Sequence, residues 1–252
     1  MTKIIMNGCN GVMGQMICNL VAADEEAEIV AGVDVNEKEG NPFPVFSSIE
    51  QCDVEADAVI DFSHVSCIDA LLDWCSKKKM PVVLCTTGLS EEQLEKVEAV
   101  SKETAVLKSA NMSLGINMLL KLLKEAAGIL TPAGFDVEVV EKHHRRKLDA
   151  PSGTALALAD SVNEACHKEY EYVYDRSQRR QARPAKEIGL SAVRGGTIVG
   201  EHDVIFAGED EVITFSHTAY SRAVFGKGAI QAAKYLKGKP AGLYNMSHVI
   251  DG

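Results

Sequence analysis

The fold of this chain is decided near its N-terminus, by the stretch Gly8-Cys9-Asn10-Gly11-Val12-Met13-Gly14. A short apolar strand is predicted over residues 3–7, and a helix with one apolar face is predicted to run on to about Ala23. Glycines in this context permit a tight turn, a close approach of the backbone to a pyrophosphate, and close packing of helix on strand. Their spacing is a variant of the commoner G-x-G-x-x-G, so an ordinary strand-to-helix turn remains an equal alternative.

An acidic residue changes that balance. Asp34 ends the next predicted strand, residues 28–34, twenty residues after Gly14. A carboxylate at this position accepts hydrogen bonds from the ribose hydroxyls of an adenosine, although a merely solvated acid is a common alternative. Together the two signals favour a nicotinamide dinucleotide. No arginine adjoins Asp34 to receive a 2′-phosphate, and Lys38 is the nearest cation, so we expect NADH to serve at least as well as NADPH.

The rest of the chain divides into two patterns. Up to about residue 112, strands alternate with helices, which predicts a parallel sheet with helices on both faces: strands 58–62, 82–85 and 105–108, and helices 65–78 and 91–103, the second capped by Ser90. Beyond it, a helix over 114–130 precedes an alternating strand (135–141) and hairpin-like strands (190–199, 202–207, 212–217), which predict a mixed sheet.

The predicted fold class is therefore α/β: a Rossmann-type parallel-sheet domain with a second, mixed-sheet α+β domain. We assign residues 1–112 and 220–252 to the dinucleotide-binding domain. Residues 113–219 are assigned to a domain for substrate binding and oligomerisation.

Composition narrows the class of protein. The content of 46% hydrophobic and 25% charged residues is that of a globular chain, and the formal net charge of −10 argues against a nucleic-acid partner. No apolar run approaches the roughly 20 residues of a membrane helix, so we expect no membrane partner. The seven cysteines are scattered and odd in number, which is typical of reduced thiols and of a cytoplasmic protein; a catalytic cysteine is the less favoured alternative.

A basic run stands out in this acidic chain. Residues 142–147 read Lys-His-His-Arg-Arg-Lys and follow the strand predicted over 135–141. Shortly afterwards Ser152 is a suitable N-cap, and the exposed first turn at Gly153 and Thr154 can hold an anion. The combination favours a carboxylate-rich substrate, with paired histidines as proton donors near neutral pH. A solvated loop is the alternative. A metal site is disfavoured, because no third ligand is evident and the neighbouring charges repel a cation.

At this point the residues match a known family. The chain resembles the 4-hydroxy-tetrahydrodipicolinate (dihydrodipicolinate) reductases of bacterial diaminopimelate and lysine biosynthesis. The resemblance covers nearly the whole chain, and its most specific part is the segment from Glu141 to Thr154. Its other motifs are the glycine stretch, Asp61-Phe-Ser, Thr86-Thr-Gly88, Ala110-Asn-Met-Ser-Leu-Gly-Ile-Asn117 and Arg194-Gly-Gly-Thr-Ile-Val-Gly-Glu-His202.

The resemblance implies an NAD(P)H-dependent oxidoreductase that acts on a small dicarboxylate substrate and assembles as a homotetramer. His143 and Lys147 would transfer protons, and His144, Gly153 and Thr154 would contact substrate. The residues implied around the cofactor are Gly8, Cys9, Asn10, Gly11, Val12, Met13, Asp34, Cys85, Thr86, Thr87, Ser109, Ala110, Asn111 and Met112. Two other classes compete: a different oxidoreductase resembling aspartate or homoserine dehydrogenases, which leaves the segment from His143 to Thr154 unexplained, and a redox-sensing regulator that binds dinucleotides without catalysis.

Overall fold

The computed structural model describes residues 1–36 and 40–252; Lys38, named above as the cation nearest Asp34 in the sequence, lies outside the described residues. The chain forms two compact units. The first unit comprises residues 1–113 and 223–252, and the second unit comprises residues 114–222. The boundaries proposed from the sequence lie at 112/113 and 219/220, one and three residues earlier.

The secondary-structure elements are numbered along the chain. The strands are β1 (Thr2–Asn7), β2 (Ala27–Val33), β3 (Val45–Phe46), β4 (Ala58–Asp61), β5 (Val82–Leu84), β6 (Ala105–Lys108), β7 (Asp136–His143), β8 (Glu171–Val173), β9 (Glu187–Arg194), β10 (Gly200–Ala207), β11 (Val212–Ala219) and β12 (Gly242–Tyr244). The helices are α1 (Val12–Val21), α2 (Ile68–Lys78), α3 (Glu91–Ser101), α4 (Leu114–Leu130), α5 (Gly153–Ala165), α6 (Ala223–Leu236) and α7 (Met246–Asp251).

The first unit is built on a seven-stranded sheet in the order β12-β6-β5-β4-β1-β2-β3. Every pair in it is parallel, which confirms the predicted Rossmann-type sheet. Strand β1 shows why both faces are covered. Its Ile4 and Met6 join the core that contains α6, while Ile5 between them joins the core that contains α2. Consecutive apolar residues such as Ile4, Ile5 and Met6, rather than alternating ones, are typical of a strand buried on both faces.

The second unit is built on a five-stranded mixed sheet in the order β11-β10-β7-β9-β8. Strand β7 lies at its centre, antiparallel to β10 and parallel to β9, which confirms the predicted mixed sheet. Side chains of β7 alternate between the two faces. Val137 and Val139 pack in a core with residues of α4 and α5, and the buried Glu141 and His143 continue the same face.

This alternation corrects one expectation. The basic run from Lys142 to Lys147 does not gather six cations at one place, because β7 continues through His143 and turns Lys142 to the opposite face. There its Nζ lies 3.0 Å from Oε2 of Glu201 and 3.4 Å from Oδ2 of Asp203. Lys142 therefore pairs with residues of β10, and the candidate site residues of this run begin at His143.

Candidate active site

The glycine stretch forms the predicted turn between β1 and α1. Gly8 has φ +81°, and a Cβ there would lie 2.6 Å from the carbonyl oxygen of Phe62. A side chain at Gly14 would overlap the carbonyl oxygen of Gly8, so α1 can cross the turn closely only because Gly14 has none. Helix α1 begins at Val12 without a side-chain cap. A first turn left uncapped by protein side chains suits a phosphate group.

Asp34 braces this turn. Its Oδ2 accepts a hydrogen bond from the backbone N–H of Asn10 (2.9 Å), and its Oδ1 accepts one from the N–H of Asn36 (2.9 Å). A cavity of about 440 Å³ opens beside it, lined among others by Gly8, Gly11, Asp34, Phe62 and His64. This volume lies within the usual range for cofactor sites. The uncapped helix, the glycines that admit no side chain and the acidic strand end together fit a dinucleotide.

Asp61 connects the strand ends that border the cavity. It is 0% exposed at the carboxyl end of β4. Its Oδ1 accepts from Nδ2 of Asn7 (2.8 Å) and Oγ of Ser63 (2.6 Å), and its Oδ2 accepts from Oγ1 of Thr86 (2.7 Å). Burial raises the pKa of Asp61 above its usual range, although these hydrogen bonds oppose that shift. The carboxyl group thereby joins the ends of β1, β4 and the segment after β5.

The other residues implied around the cofactor follow the same edge of the sheet. Cys85, Thr86 and Thr87 come directly after β5, and residues 109–112 come directly after β6. Ligands of open α/β sheets bind at the carboxyl ends of the strands. Burial raises the pKa of the Cys85 thiol well above its usual range, which argues against a thiolate nucleophile there. All seven cysteines are free thiols.

In the second unit, the candidate catalytic histidine belongs to a buried network. Nδ1 of His143 lies 2.6 Å from Oε2 of Glu141, two residues earlier on the same face of β7. Arg194, at the end of β9, donates from its two terminal nitrogens to the two oxygens of Glu141, each at 2.7 Å. The backbone N–H of Ser152 also donates to Glu141 (3.0 Å). Burial alone would raise the pKa of Glu141, but these donors hold it below its usual range.

Two further histidines continue this face across the sheet. His202 on β10 pairs in register with Glu141 and, on its other side, with His217 on β11. The rings of His143 and His202 meet edge to face with centroids 5.1 Å apart. Burial, with a smaller effect of His143, lowers the pKa of His202 to about 4, so its ring is neutral near pH 7. Its Nε2 shares a hydrogen bond with Oγ of Ser152, the two atoms being 2.9 Å apart.

Ser152 caps α5 as predicted, since its Oγ accepts from the N–H of Ala155 (3.1 Å). Gly153 follows at the start of the helix, and a Cβ built there would meet no atom within 4 Å, so the first turn borders open space. Lys147, in the loop between β7 and α5, places its Nζ 2.8 Å from Oδ2 of Asp149. Nδ1 of His144 is buried and has no hydrogen-bond partner among residues 1–36 and 40–252. His143, His144, Lys147, Gly153 and Thr154 thus lie on one continuous segment.

Sequence reasoning assigned no role in the site to Glu141, Arg194 or His202. The sequence did contain a signal for Glu141: it lies two residues before His143, and residues two apart on a strand share a face. No spacing could have indicated Arg194, which joins Glu141 across 53 residues.

Neither a metal-binding cluster nor a membrane-spanning helix is found in the described ranges. Within residues 1–36 and 40–252, no three His, Cys, Asp or Glu side chains cluster in a way that could hold a metal ion. In the same part of the chain, no helix has the length and apolar character needed to cross a membrane.

The fold and the two sets of residues define a class: a two-unit oxidoreductase with a Rossmann-type sheet for a nicotinamide dinucleotide. Comparison with known proteins narrows it. Residues 2–112 match the family described as dihydrodipicolinate reductase, N-terminus, and residues 115–250 match dihydrodipicolinate reductase, C-terminus. The chain belongs to this family, which confirms the resemblance recognised in the sequence.

Individual relatives agree. The chain is 54% identical to a 4-hydroxy-tetrahydrodipicolinate reductase of Caldanaerobacter subterraneus subsp. tengcongensis, over 99% of this chain and 98% of the relative. It is 48% identical to one of Clostridium tetani, over 100% and 98%. Among solved structures, a dipicolinate-bound dihydrodipicolinate reductase from Paenisporosarcina sp. TG-14 superimposes with a TM-score of 0.79 at 24% identity, covering 97% of both chains, which supports the fold.

Proposed function

We propose that this chain reduces 4-hydroxy-tetrahydrodipicolinate to tetrahydrodipicolinate, with hydride from NADH or NADPH and loss of water, in diaminopimelate and lysine biosynthesis. The observation that carries the proposal is the buried Glu141–His143 pair beside the start of α5 and the Lys147 loop. This arrangement offers a proton donor and an anion site together, and it lies in a family of enzymes named for this reduction.

The first unit would hold the cofactor. Its glycine turn and the start of α1 suit the pyrophosphate, and Asp34 suits the adenosine ribose. We assign to the same site the side chains and backbone of Gly8–Met13, Cys85–Thr87 and Ser109–Met112. When bound, the nicotinamide supplies a hydride to an electron-poor carbon of the substrate.

The second unit would supply the proton. Hydride addition places an electron pair on the substrate, and departure of its hydroxyl as water consumes one proton overall. The ionised Glu141 can only accept, so Nδ1 of His143 carries its hydrogen toward Glu141 and leaves Nε2 to exchange a proton. Lys147 is a second donor, with an ammonium group held near the loop by Asp149.

The substrate's carboxylates would be bound by the same segment. The start of α5 at Gly153 and Thr154 can donate backbone N–H groups to one carboxylate, since a helix N-terminus favours negative charge. Nδ1 of His144, which has no hydrogen-bond partner in the described part of the chain, would bind a further polar group of the ligand. The open space beyond Gly153 leaves room for a carboxylate at the start of α5.

We test the proposal with the substrate generated in situ from pyruvate and aspartate semialdehyde by a coupling enzyme. NADH oxidation is expected only when that enzyme is present. Lys147→Met should lower kcat by about 10²-fold without changing NADH affinity, because a proton donor is lost. Lys142→Met is the matched control: it removes a lysine of the same run from the opposite face, and kcat should stay within about two-fold. Equal losses in both variants, or none in either, would remove Lys147 from the mechanism.

Cofactor preference is a finer proposal. Asp34 presents a carboxylate where a 2′-phosphate would need a cation, so we propose that NADH is used at least as well as NADPH. Initial rates with each cofactor decide the matter. A strong preference for NADPH would show that this interpretation of Asp34 is wrong.

We also propose a homotetramer assembled through the sheet of the second unit. The face of that sheet opposite α4 and α5 carries partly exposed apolar side chains, including Val140, Val193 and Ile205. Sedimentation of the purified chain should give four times the chain mass, and a monomer would contradict this proposal. We place the protein in the cytoplasm because its seven thiols are free, as in a reducing compartment.

A further inference from the structure

Glu141 has more connections than a simple ion pair. Its Oε1 accepts from Arg194 and from the N–H of Ser152, and its Oε2 accepts from Arg194 and from Nδ1 of His143. Both oxygens are therefore occupied by two donors each. One carboxylate joins the end of β7, the end of β9 and the start of α5.

Arg194 extends this network to the Lys147 loop. One of its terminal nitrogens also donates to the carbonyl oxygen of Asp149 (2.6 Å), which follows Lys147 by two residues. Ser152 closes the same loop through its bond to Glu141. At the other end of the loop, the N–H of Gly195 donates to the carbonyl oxygen of His143 (2.9 Å). The segment that carries Lys147 is thus tied at both ends to residues around Glu141.

The charge of Glu141 matters as much as its position. The groups that face His143 are Glu141 on its own strand, Arg194 on β9 and His202 on β10. His202 is neutral near pH 7, and Lys147 adds positive charge to the surroundings of this histidine pair. Glu141 is the anion in direct contact with the ring, so Nδ1 carries a hydrogen toward it and Nε2 is left to exchange a proton.

We propose that Glu141 is a positioning residue for the reduction: it directs Nε2 of His143 to the substrate, stabilises this ring while it carries a proton, and with Arg194 holds the Lys147 loop. The inference builds on the proposed function. The structure supports it through the 2.6 Å contact between Oε2 of Glu141 and Nδ1 of His143, the proposed proton donor, and not through the Glu141–Arg194 ion pair alone.

The chain offers a matched control in the same sheet. Glu187, at the opposite end of β9 from Arg194, is also buried, with a side chain 6% exposed, and pairs with Arg176 and Arg179. It resembles Glu141 in burial and in its arginine partners, but the hydrogen bonds described for its carboxylate involve no histidine. Any effect that follows merely from loss of a buried ion pair should appear in both variants.

The experiment compares Glu141→Gln with Glu187→Gln in the coupled assay, with NADH affinity and thermal unfolding measured in parallel. For Glu141→Gln we expect kcat to fall by about 10²-fold while NADH affinity stays unchanged. The loss should fall on kcat and not on the KM for the substrate, because the variant changes the proton donor and leaves the groups proposed to bind the substrate in place. For Glu187→Gln we expect a lower Tm, with kcat and KM unchanged.

Glu141→Asp keeps the negative charge and shortens the reach, so it should lower kcat by at least about 10-fold with KM unchanged. It also carries the test if Glu141→Gln does not fold. The inference is overturned if a folded Glu141 variant keeps a parental kcat, or if Glu141→Gln and Glu187→Gln lose activity equally. Absence of turnover by the parent chain would instead remove the proposed function, and this inference with it.

Discussion

Asp61 and Glu141 are two carboxylates that the fold buries completely, both 0% exposed, and each is the centre of a hydrogen-bond network within its own unit. Asp61 joins strand ends in the first unit, and Glu141 joins two strands and a helix start in the second. Their chemistry nevertheless differs. The donors described for Asp61 are neutral, namely an amide, a backbone N–H and two hydroxyls, and burial raises its pKa. Glu141 has a bidentate arginine, and its pKa is lowered.

The difference shows that burial alone does not decide whether a carboxylate stays charged. Neutral donors orient an acid but leave most of the desolvation penalty in place, whereas one well-placed guanidinium compensates it. The first arrangement suits a frame around a bound cofactor. The second suits a site that must hold an anion through proton transfer.

Removal of Arg194 should have the largest effect on the contrast between Glu141 and Asp61. Arg194→Leu leaves Glu141 buried without its cation, and we expect the unfolding free energy at pH 7 to fall by about 3–5 kcal/mol. Urea denaturation measures the loss. Arg179→Leu is the control, because its side chain is 40% exposed and Glu187 keeps Arg176; a loss of at most about 1 kcal/mol is expected. A similar loss in both variants would show that the guanidinium does not distinguish Glu141.

Adding one methyl group at Gly14 tests the role of the glycine turn between β1 and α1. Gly14→Ala places a Cβ against the carbonyl oxygen of Gly8, so we expect a loss of about 1–3 kcal/mol and NADH binding at least about ten-fold weaker. Gly128→Ala, in the interior of α4, meets no atom within 4 Å and should gain about 0.5–1 kcal/mol. NADH titration and urea denaturation of the two variants measure these effects. Parental NADH affinity in Gly14→Ala would contradict the assigned role of the turn.

Acid should affect the two carboxylates in opposite directions, with the smallest changes of this set. The lowered pKa of Glu141 stabilises the fold above the usual 4.5, and this contribution disappears as the pH falls through the lowered value. The raised pKa of Asp61 works in the reverse sense: its contribution is complete below 3.8 and disappears as the pH rises through the raised value.

Urea midpoints at several pH values, compared with those of Glu141→Gln and Asp61→Asn, measure both contributions. As the pH falls toward 4, the advantage of the parent over Glu141→Gln should shrink, while its standing relative to Asp61→Asn should improve. Parallel curves for the two variants would show that the opposite directions are wrong.

The candidate site residues of the two units also differed in how far sequence could predict them. Those of the first unit depend largely on the absence of side chains at Gly8 and Gly14, and such a constraint appears as a local motif. The capping side chains of Ser90 and Ser152 and the bounds of α4 were likewise predictable, because each depends on residues within one or two turns.

Long-range partnerships were not predictable in this way. Arg194 and His202 reach the Glu141 network only through the pairing of β9 and β10 with β7, which no single-chain periodicity fixes. The edge strands β3, β8 and β12 were missed because two or three residues are too few to show alternation. The basic run of residues 142–147 was misinterpreted for a related reason. Adjacent residues of a strand point to opposite faces, so Lys142 and His143 lie on different faces of the sheet.

The division of the chain has a consequence for biosynthesis. The second unit is one uninterrupted run, residues 114–222, so all its strands have been synthesised before the ribosome reaches α6. The first unit cannot complete its fold at that stage, because α6 contributes Ala229, Ile230 and Leu236 to its core and β12 completes its sheet. Most of the first unit is therefore translated first, yet its core and sheet can be completed only after the C-terminal segment has been synthesised.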